Sequence, residues 1–229
     1  MIRGIPSAVR RMSQRPAADK PAKPFATAGW TFFRQWLKNP LSIAALSPSG
    51  RQLAGRMMHE LPSGAKRVVE LGGGTGVFTR AMLEHGIEPH NLLVVELNEE
   101  LYQYLHTSFP EVNVVWGNAC DLNAIASKAG MLSDGKIDAV ISGLGLLSMP
   151  RSLQMNILGA AFDVLKQDGC FIQFTYGPKS PIPPDVLQEL GVSVRRGGFA
   201  WRNLPPASVF VYSRNRSKGI QATRPVAKG

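Results

Sequence analysis

The chain has 229 residues, 44% of them apolar, only two cysteines and a formal net charge of +10. That length suits one domain with extensions, and such a domain buries enough surface to need no disulfide or metal staple. Cys120 and Cys170 fit no metal-ligand spacing, no run approaches ~18 apolar residues, and the basic N-terminus lacks a secretory core, so a cytosolic protein without a metal or a membrane span is expected.

Residues 1–24 carry six basic groups against Asp19, and their Pro- and Ala-rich composition has no apolar period, so they read as a disordered basic tail. In "FATAGWTFFRQWLKNP", Trp30, Phe32, Phe33, Trp36 and Leu37 gather on one side of a helical wheel, with Thr31, Arg34, Gln35 and Lys38 opposite. Such a face either packs on the body or anchors in a membrane interface. Two Trp and two Phe beside basic groups suit the anchor. "LSPSGRQLAGRMMHEL" opens a second helix with Ser47 as N-cap and Pro48 at its first position. Residues 25–60 are therefore expected to form N-terminal helices ahead of a domain over 61–213.

From there the pattern alternates. Strands are expected at "RVVEL", "LLVVEL", "VNVVWG", "IDAVISG" and "CFIQFTY", and helices near 77–86, 98–108, 121–129 and 150–167. Short Val- and Ile-rich strands separated by helices imply a parallel sheet covered on both faces. After a turn and a short helix at 184–190, "VSVRRGGFAWRNLPPASVFVYS" reads as an antiparallel hairpin on the sheet edge. The expected fold is α/β: a doubly wound, Rossmann-like, mostly parallel sheet of seven strands, of the methyltransferase kind. Residues 214–229 hold five basic groups and no acid and form a second basic tail, while 25–213 balance at 15 basic and 15 acidic groups. Charge confined to tails around a neutral body suits attraction to an extended anionic surface.

"VVELGGGTGVFT" places Glu70 at the end of the first strand and Gly72, Gly74 and Gly76 in the turn into a helix. Glycines there permit a tight turn and close approach of a ligand. A dinucleotide pyrophosphate would be repelled by Glu70, whereas S-adenosylmethionine carries an ammonium and a sulfonium and no phosphate. Glu96 ends the second strand, where a carboxylate accepts from both ribose hydroxyls. Asn118 or Asp121, after the third strand, can bind the adenine amino group. Thr75, Leu97, Ala119, Ser142, Gly143 and Leu144 adjoin these positions and complete the expected S-adenosylmethionine site, from which S-adenosylhomocysteine leaves as product.

Through "FFRQWLKNP", "SPSGRQLA", "ELGGGTG", "ISGLGLLSMP", "QFTYGPKSP" and "WRNLPPASVFVY", over roughly residues 25–213, the chain resembles the small soluble bacterial phospholipid N-methyltransferases. The resemblance implies stepwise conversion of phosphatidylethanolamine to phosphatidylcholine by an enzyme held peripherally at the inner membrane face. That family is distantly related to the ribosomal RNA adenine dimethylases, the alternative reading. Those enzymes stack a flipped base on an Asn-x-Pro-aromatic segment after the fourth strand. Here Gly143-Leu144-Gly145-Leu146 offers neither Pro nor ring, so no nucleic acid is expected.

An aliphatic amine needs drying and aiming more than activating. Ser142, or the carbonyls of 142–144, is expected to orient it. Tyr176 is expected to hydrogen-bond it, unless that ring is simply core. Tyr176 and Trp201 are candidates to hold the methylated cation on their faces. Lys179, Arg202 and the helix start at Ser47-Pro48-Ser49 are the candidate donors to the lipid phosphate.

Overall fold

The structure, a computed structural model, describes residues 48–201, 203 and 205–215. Residues 1–47, with the first expected tail, the expected helix bearing Trp30, Phe32, Phe33 and Trp36 and the candidate Ser47, lie outside the described residues, as do Arg202 and residues 216–229. Arg214, counted with the second tail, instead closes the last described strand, and Ser49 is described in its backbone alone.

Seven strands are interleaved with helices: α1 (Pro48–Met58), β1 (Val68–Leu71), α2 (Val77–Glu84), β2 (Leu92–Glu96), α3 (Glu99–Ser108), β3 (Asn113–Trp116), α4 (Leu122–Lys128), β4 (Ile137–Ser142), α5 (Arg151–Val164), β5 (Leu165–Thr175), α6 (Pro184–Glu189), β6 (Val192–Ala200) and β7 (Ala207–Arg214). They form one sheet in the order β3-β2-β1-β4-β5-β7-β6. β1 to β5 run parallel, and β7 pairs antiparallel with both β5 and β6. The expected hairpin is present, with the last strand of the chain on its inner side.

Every residue of "VVEL" and "LLVVE" is buried, as a sheet covered on both faces requires. Val68, Val94, Ala139, Ile141 and Ile172 pack with Met57, Met82 and Leu105 of α1, α2 and α3. Val69, Leu93, Val140 and Phe171 pack with Leu122, Ile157 and Val186 of α4, α5 and α6. Asn98 caps α3 by accepting from Leu101 N at 3.0 Å, as its type and position favour.

One boundary differs. The apolar pattern carries a helix to about 167, yet α5 stops at Val164 and β5 begins five residues before Cys170. Leu165 pairs with Ile137, and Lys166 Nζ donates to Asp138 Oδ1 at 2.5 Å. Asp138 also accepts from the backbone N–H groups of Lys66 and Arg67. Ladder pairing and this anchor override the helix propensity of Leu-Lys-Gln.

The strand order reverses between β1 and β4. Loops leaving the carboxyl ends of adjacent strands diverge there, which opens a crevice for a ligand.

Candidate active site

Three elements meet at this switch point: the glycine loop after β1, the carboxylate ending β2 and the loop after β4. Gly72, Gly74 and Gly76 have φ of +73°, +55° and +76°, a region that side-chain-bearing residues rarely adopt. Gly76 starts α2, and Gly72 N donates to Val95 O at 2.8 Å. Thr75 is buried between them.

Glu96 is built into this loop. Its Oε2 accepts from Gly74 N and its Oε1 from Asn98 N, both at 2.9 Å. The residue expected to bind ribose hydroxyls therefore also sets the loop's conformation, and each oxygen keeps a further lone pair for a ligand.

Glu70 is fully buried. Thr79 Oγ1 donates to its Oε2 at 2.5 Å, and its Oε1 is buried without a protein partner. Burial pushes this carboxyl up from the ordinary 4.5 to about 8; the bond from Thr79 opposes the rise and the Glu96 charge adds to it. An orphaned buried acceptor beside a glycine loop is costly unless something satisfies it, and a cationic ligand would do so.

Glu70 also makes stability depend on pH. The neutral carboxyl's contribution is fully present below about 4.5 and is lost as pH rises through about 8, because the folded state holds a proton that the unfolded chain has released. Glu70→Gln is expected to abolish this slope, a difference on the order of a few kcal/mol at about pH 8. Urea midpoints of both proteins from about pH 5 to about pH 8 check it, and parallel curves would refute it.

At the far end of the crevice Leu97 is 66% exposed, which leaves its side chain available to a planar ring. Trp116 Nε1 donates to Leu97 O at 2.9 Å, and its ring stacks on Tyr102. Asn118 Oδ1 accepts from Cys120 N at 3.0 Å, capping the short turn Ala119–Asp121. That bond orients the Asn118 amide, while Ala119 lies half-buried behind it.

The loop after β4 approaches the glycine loop through backbone. Gly143 N donates to Leu71 O at 2.8 Å, and a Cβ on Gly143 would stand 2.7 Å from Gly72 O. Leu144 covers Gly72, for a Cβ there would meet Leu144 Cδ2 at 2.7 Å. Ser142 is fully buried, and its Oγ accepts from Leu144 N at 3.3 Å, so the hydroxyl contacts its own loop.

Two buried glutamines hold this loop from behind. Gln173, beside Ser142 in the register of β5, donates from Nε2 to Leu144 O at 2.9 Å and Phe174 O at 2.7 Å. Gln154 donates from Nε2 to Leu146 O at 2.7 Å and Met149 O at 3.3 Å. Backbone carbonyls of "ISGLGLLSMP" are thus satisfied by side chains from other elements, which explains how a segment without polar side chains beyond two serines keeps a defined shape. Sequence reasoning missed both glutamines. The available signal was a polar residue inside each of two otherwise apolar faces.

Tyr176 follows β5 and is half-buried; burial raises its hydroxyl above the ordinary range, and a side-chain hydrogen bond with Asn203 opposes this. Trp201, in the turn of the β6–β7 hairpin, is 75% exposed and packs edge-on against Phe199. Lys179 is exposed. The structure thus gathers Glu70, Gly72, Gly74, Thr75, Gly76, Glu96, Ser142, Gly143 and Leu144 at one switch point, with Leu97, Asn118 and Ala119 at the adjoining ends of β2 and β3.

A methyltransferase-domain family model matches residues 68–169. An ornithine lipid N-methyltransferase of Singulisphaera acidiphila is 30% identical over 183 residues, spanning 78% of this chain and 92% of its own. The ribosomal RNA small subunit methyltransferase A of Chlorobium chlorochromatii is 38% identical over 66 residues, 28% of this chain and 24% of its own. Among solved structures, the 1,6-didemethyltoxoflavin-N1-methyltransferase of Burkholderia thailandensis, with its acceptor and S-adenosylhomocysteine bound, superposes with a TM-score of 0.57 at 17% identity. It covers 87% of this chain and 94% of its own, and it attests the fold.

Proposed function

This chain belongs to the S-adenosylmethionine-dependent methyltransferase family, and from that premise we propose that it methylates the aliphatic amino group of a membrane lipid, taking phosphatidylethanolamine and its mono- and dimethyl derivatives toward phosphatidylcholine. Its cofactor is S-adenosylmethionine. The observation that carries the lipid reading is the similarity to an ornithine lipid N-methyltransferase over nearly all of that protein's length. The RNA methyltransferase similarity covers little more than a quarter of this chain, and the alternative that it methylates adenines in RNA is correspondingly weaker. Ornithine lipid is a second acceptor that the same relative favours, and ornithine likewise offers a primary aliphatic amine.

The residues fit the cofactor. The orphaned Oε1 of Glu70 suits its ammonium, Glu96 its ribose hydroxyls, and Leu97 with Asn118 its adenine. When bound, it supplies an electrophilic methyl: the amine nitrogen forms the N–C bond, the C–S electron pair leaves to sulfur, and the amine gives up a proton. The chain's own task is then to dry and aim the amine. A Lys-like amine titrates near ~10.4 in water, and desolvation favours its neutral, nucleophilic form. The carbonyls around Gly143 and Leu144, fixed in advance by Gln173 and Ser142, orient it, and Tyr176 borders its path. Trp201, Lys179 and Arg202, with Ser47 and Ser49, are proposed to receive the lipid headgroup.

The membrane is proposed to be reached peripherally from the cytoplasmic side, through Trp30, Phe32, Phe33 and Trp36 and the two basic tails. No helix among the described residues is long and apolar enough to cross a membrane.

Labelled S-adenosylmethionine incubated with anionic vesicles holding either phosphatidylethanolamine or ornithine lipid tests this reading. Label is expected in mono-, di- and trimethylated lipid, with the protein co-floating with the vesicles. Label in neither lipid, or in RNA instead, would reject it.

A further inference from the structure

Three half-buried rings lie in a row at the carboxyl ends of β1, β4 and β5. Phe174 sits in the middle, with Phe78 at a centroid distance of 5.7 Å and Tyr176 at 5.4 Å, tilted by 57° and 73°. All three rings pack on one side against the apolar core, and each is only half-buried, so part of each remains accessible. Phe78 is the second residue of α2, and its Cε2 lies 3.6 Å from the place a Cβ on Gly143 would take. The aromatic row therefore adjoins the loop after β4, where the acceptor nitrogen is proposed to bind. Trp201, the other ring that sequence suggested beside Tyr176, packs edge-on against Phe199.

The number of N–H groups on the acceptor decides what this row does. A primary amine brings two, which carbonyls can accept while positive charge builds on nitrogen. A monomethylated amine brings one. A dimethylated amine brings none, so no carbonyl can stabilise its transition state by hydrogen bonding. Ring faces can, because their negative quadrupole attracts a cation whether or not it carries protons.

Resting on the lipid-amine reading above, we infer that Phe78, together with Tyr176, forms a cation-holding aromatic wall whose contribution grows with each methyl already on the nitrogen, so that Phe78 governs the last transfer more than the first. Phe78 is then a substrate-contacting residue, and its neighbour Phe174 keeps it in place.

The test replaces Phe78 by mono-, di- and trifluorinated phenylalanine, which weaken the quadrupole with little change of size, and by Leu, which removes it. The full-length proteins are assayed on anionic vesicles containing phosphatidylethanolamine, its monomethyl or its dimethyl derivative. S-adenosylhomocysteine affinity, read by calorimetry, controls for folding. The expected result is unchanged cofactor affinity and a graded loss in kcat/KM that is smallest for the primary amine and grows with each methyl, reaching roughly 2- to 30-fold for the dimethylated lipid. Equal losses at all three steps, or no graded loss at the third, would overturn the inference. So would a wild-type protein that methylates the primary amine and leaves the dimethylated lipid untouched. A wild-type protein inactive on every lipid would instead overturn the substrate reading on which the inference stands.

Discussion

Gly143→Ala is expected to cost about 100-fold or more in methyl transfer while the sheet stays folded, since a displacement of about 1 Å at a reacting centre has effects of that size. The added Cβ would lie 2.7 Å from the carbonyl oxygen of Gly72, and this neighbour is backbone. Neither strand of chain can step aside freely: Gly143 N is bonded to Leu71 O, and Gly72 N to Val95 O. Relief therefore means moving the glycine loop or the loop after β4, the two segments between which methyl donor and acceptor must align. Gly159→Ala in α5 supplies the contrast, because a Cβ there meets nothing within 4 Å. In mid-helix that change is expected to stabilise by about 0.5–1 kcal/mol with no effect on rate. Steady-state rates and thermal midpoints of the two variants separate the cases, and a fully active Gly143→Ala protein would show that the loops do not need their close contact.

The second large effect is expected at Glu96. Glu96→Ala strands the N–H groups of Gly74 and Asn98, both bonded to the carboxylate at 2.9 Å, and removes the proposed acceptor for the ribose hydroxyls. Hydrogen bonds to a charged group contribute about 1.5–3 kcal/mol each, so S-adenosylhomocysteine is expected to bind about 100- to 1000-fold more weakly. Glu96→Gln should recover little of this, since its amide turns a donor toward one of two N–H groups that both require an acceptor. Calorimetric titration decides it, and a loss below about tenfold would mean that the loop holds its shape without the carboxylate.

The strands were legible because their signal is local. "VVEL" and "LLVVE" are apolar apart from Glu70 and Glu96 near their carboxyl ends, as strands covered on both faces must be, and the glycine spacing of the Glu-x-Gly-x-Gly-x-Gly run marks its turn locally. The fifth strand was legible only from Cys170, since its first residues become a strand through Ile137 and Asp138 on a neighbouring strand. Asn118 was singled out from its place after the third strand, but its role in capping the Ala119–Asp121 turn was not legible.

Around the acceptor the balance shifts. Ser142 was singled out for its hydroxyl, yet folding buries that group against Leu144 N. The loop is held by Gln173 from β5 and Gln154 from α5, and Tyr176 is joined in a row of rings by Phe174 and Phe78, which no local pattern marks. By itself, sequence determined the alternation of elements, the glycine turn and the two carboxylates, because periodicity and backbone conformation are properties of neighbouring residues. Only the tertiary structure decided what surrounds the loop after β4, the proposed acceptor site, because those contacts join β1, β4, β5 and α2 across the switch point. Satisfying buried carbonyls and packing rings are there the work of residues distant in the chain.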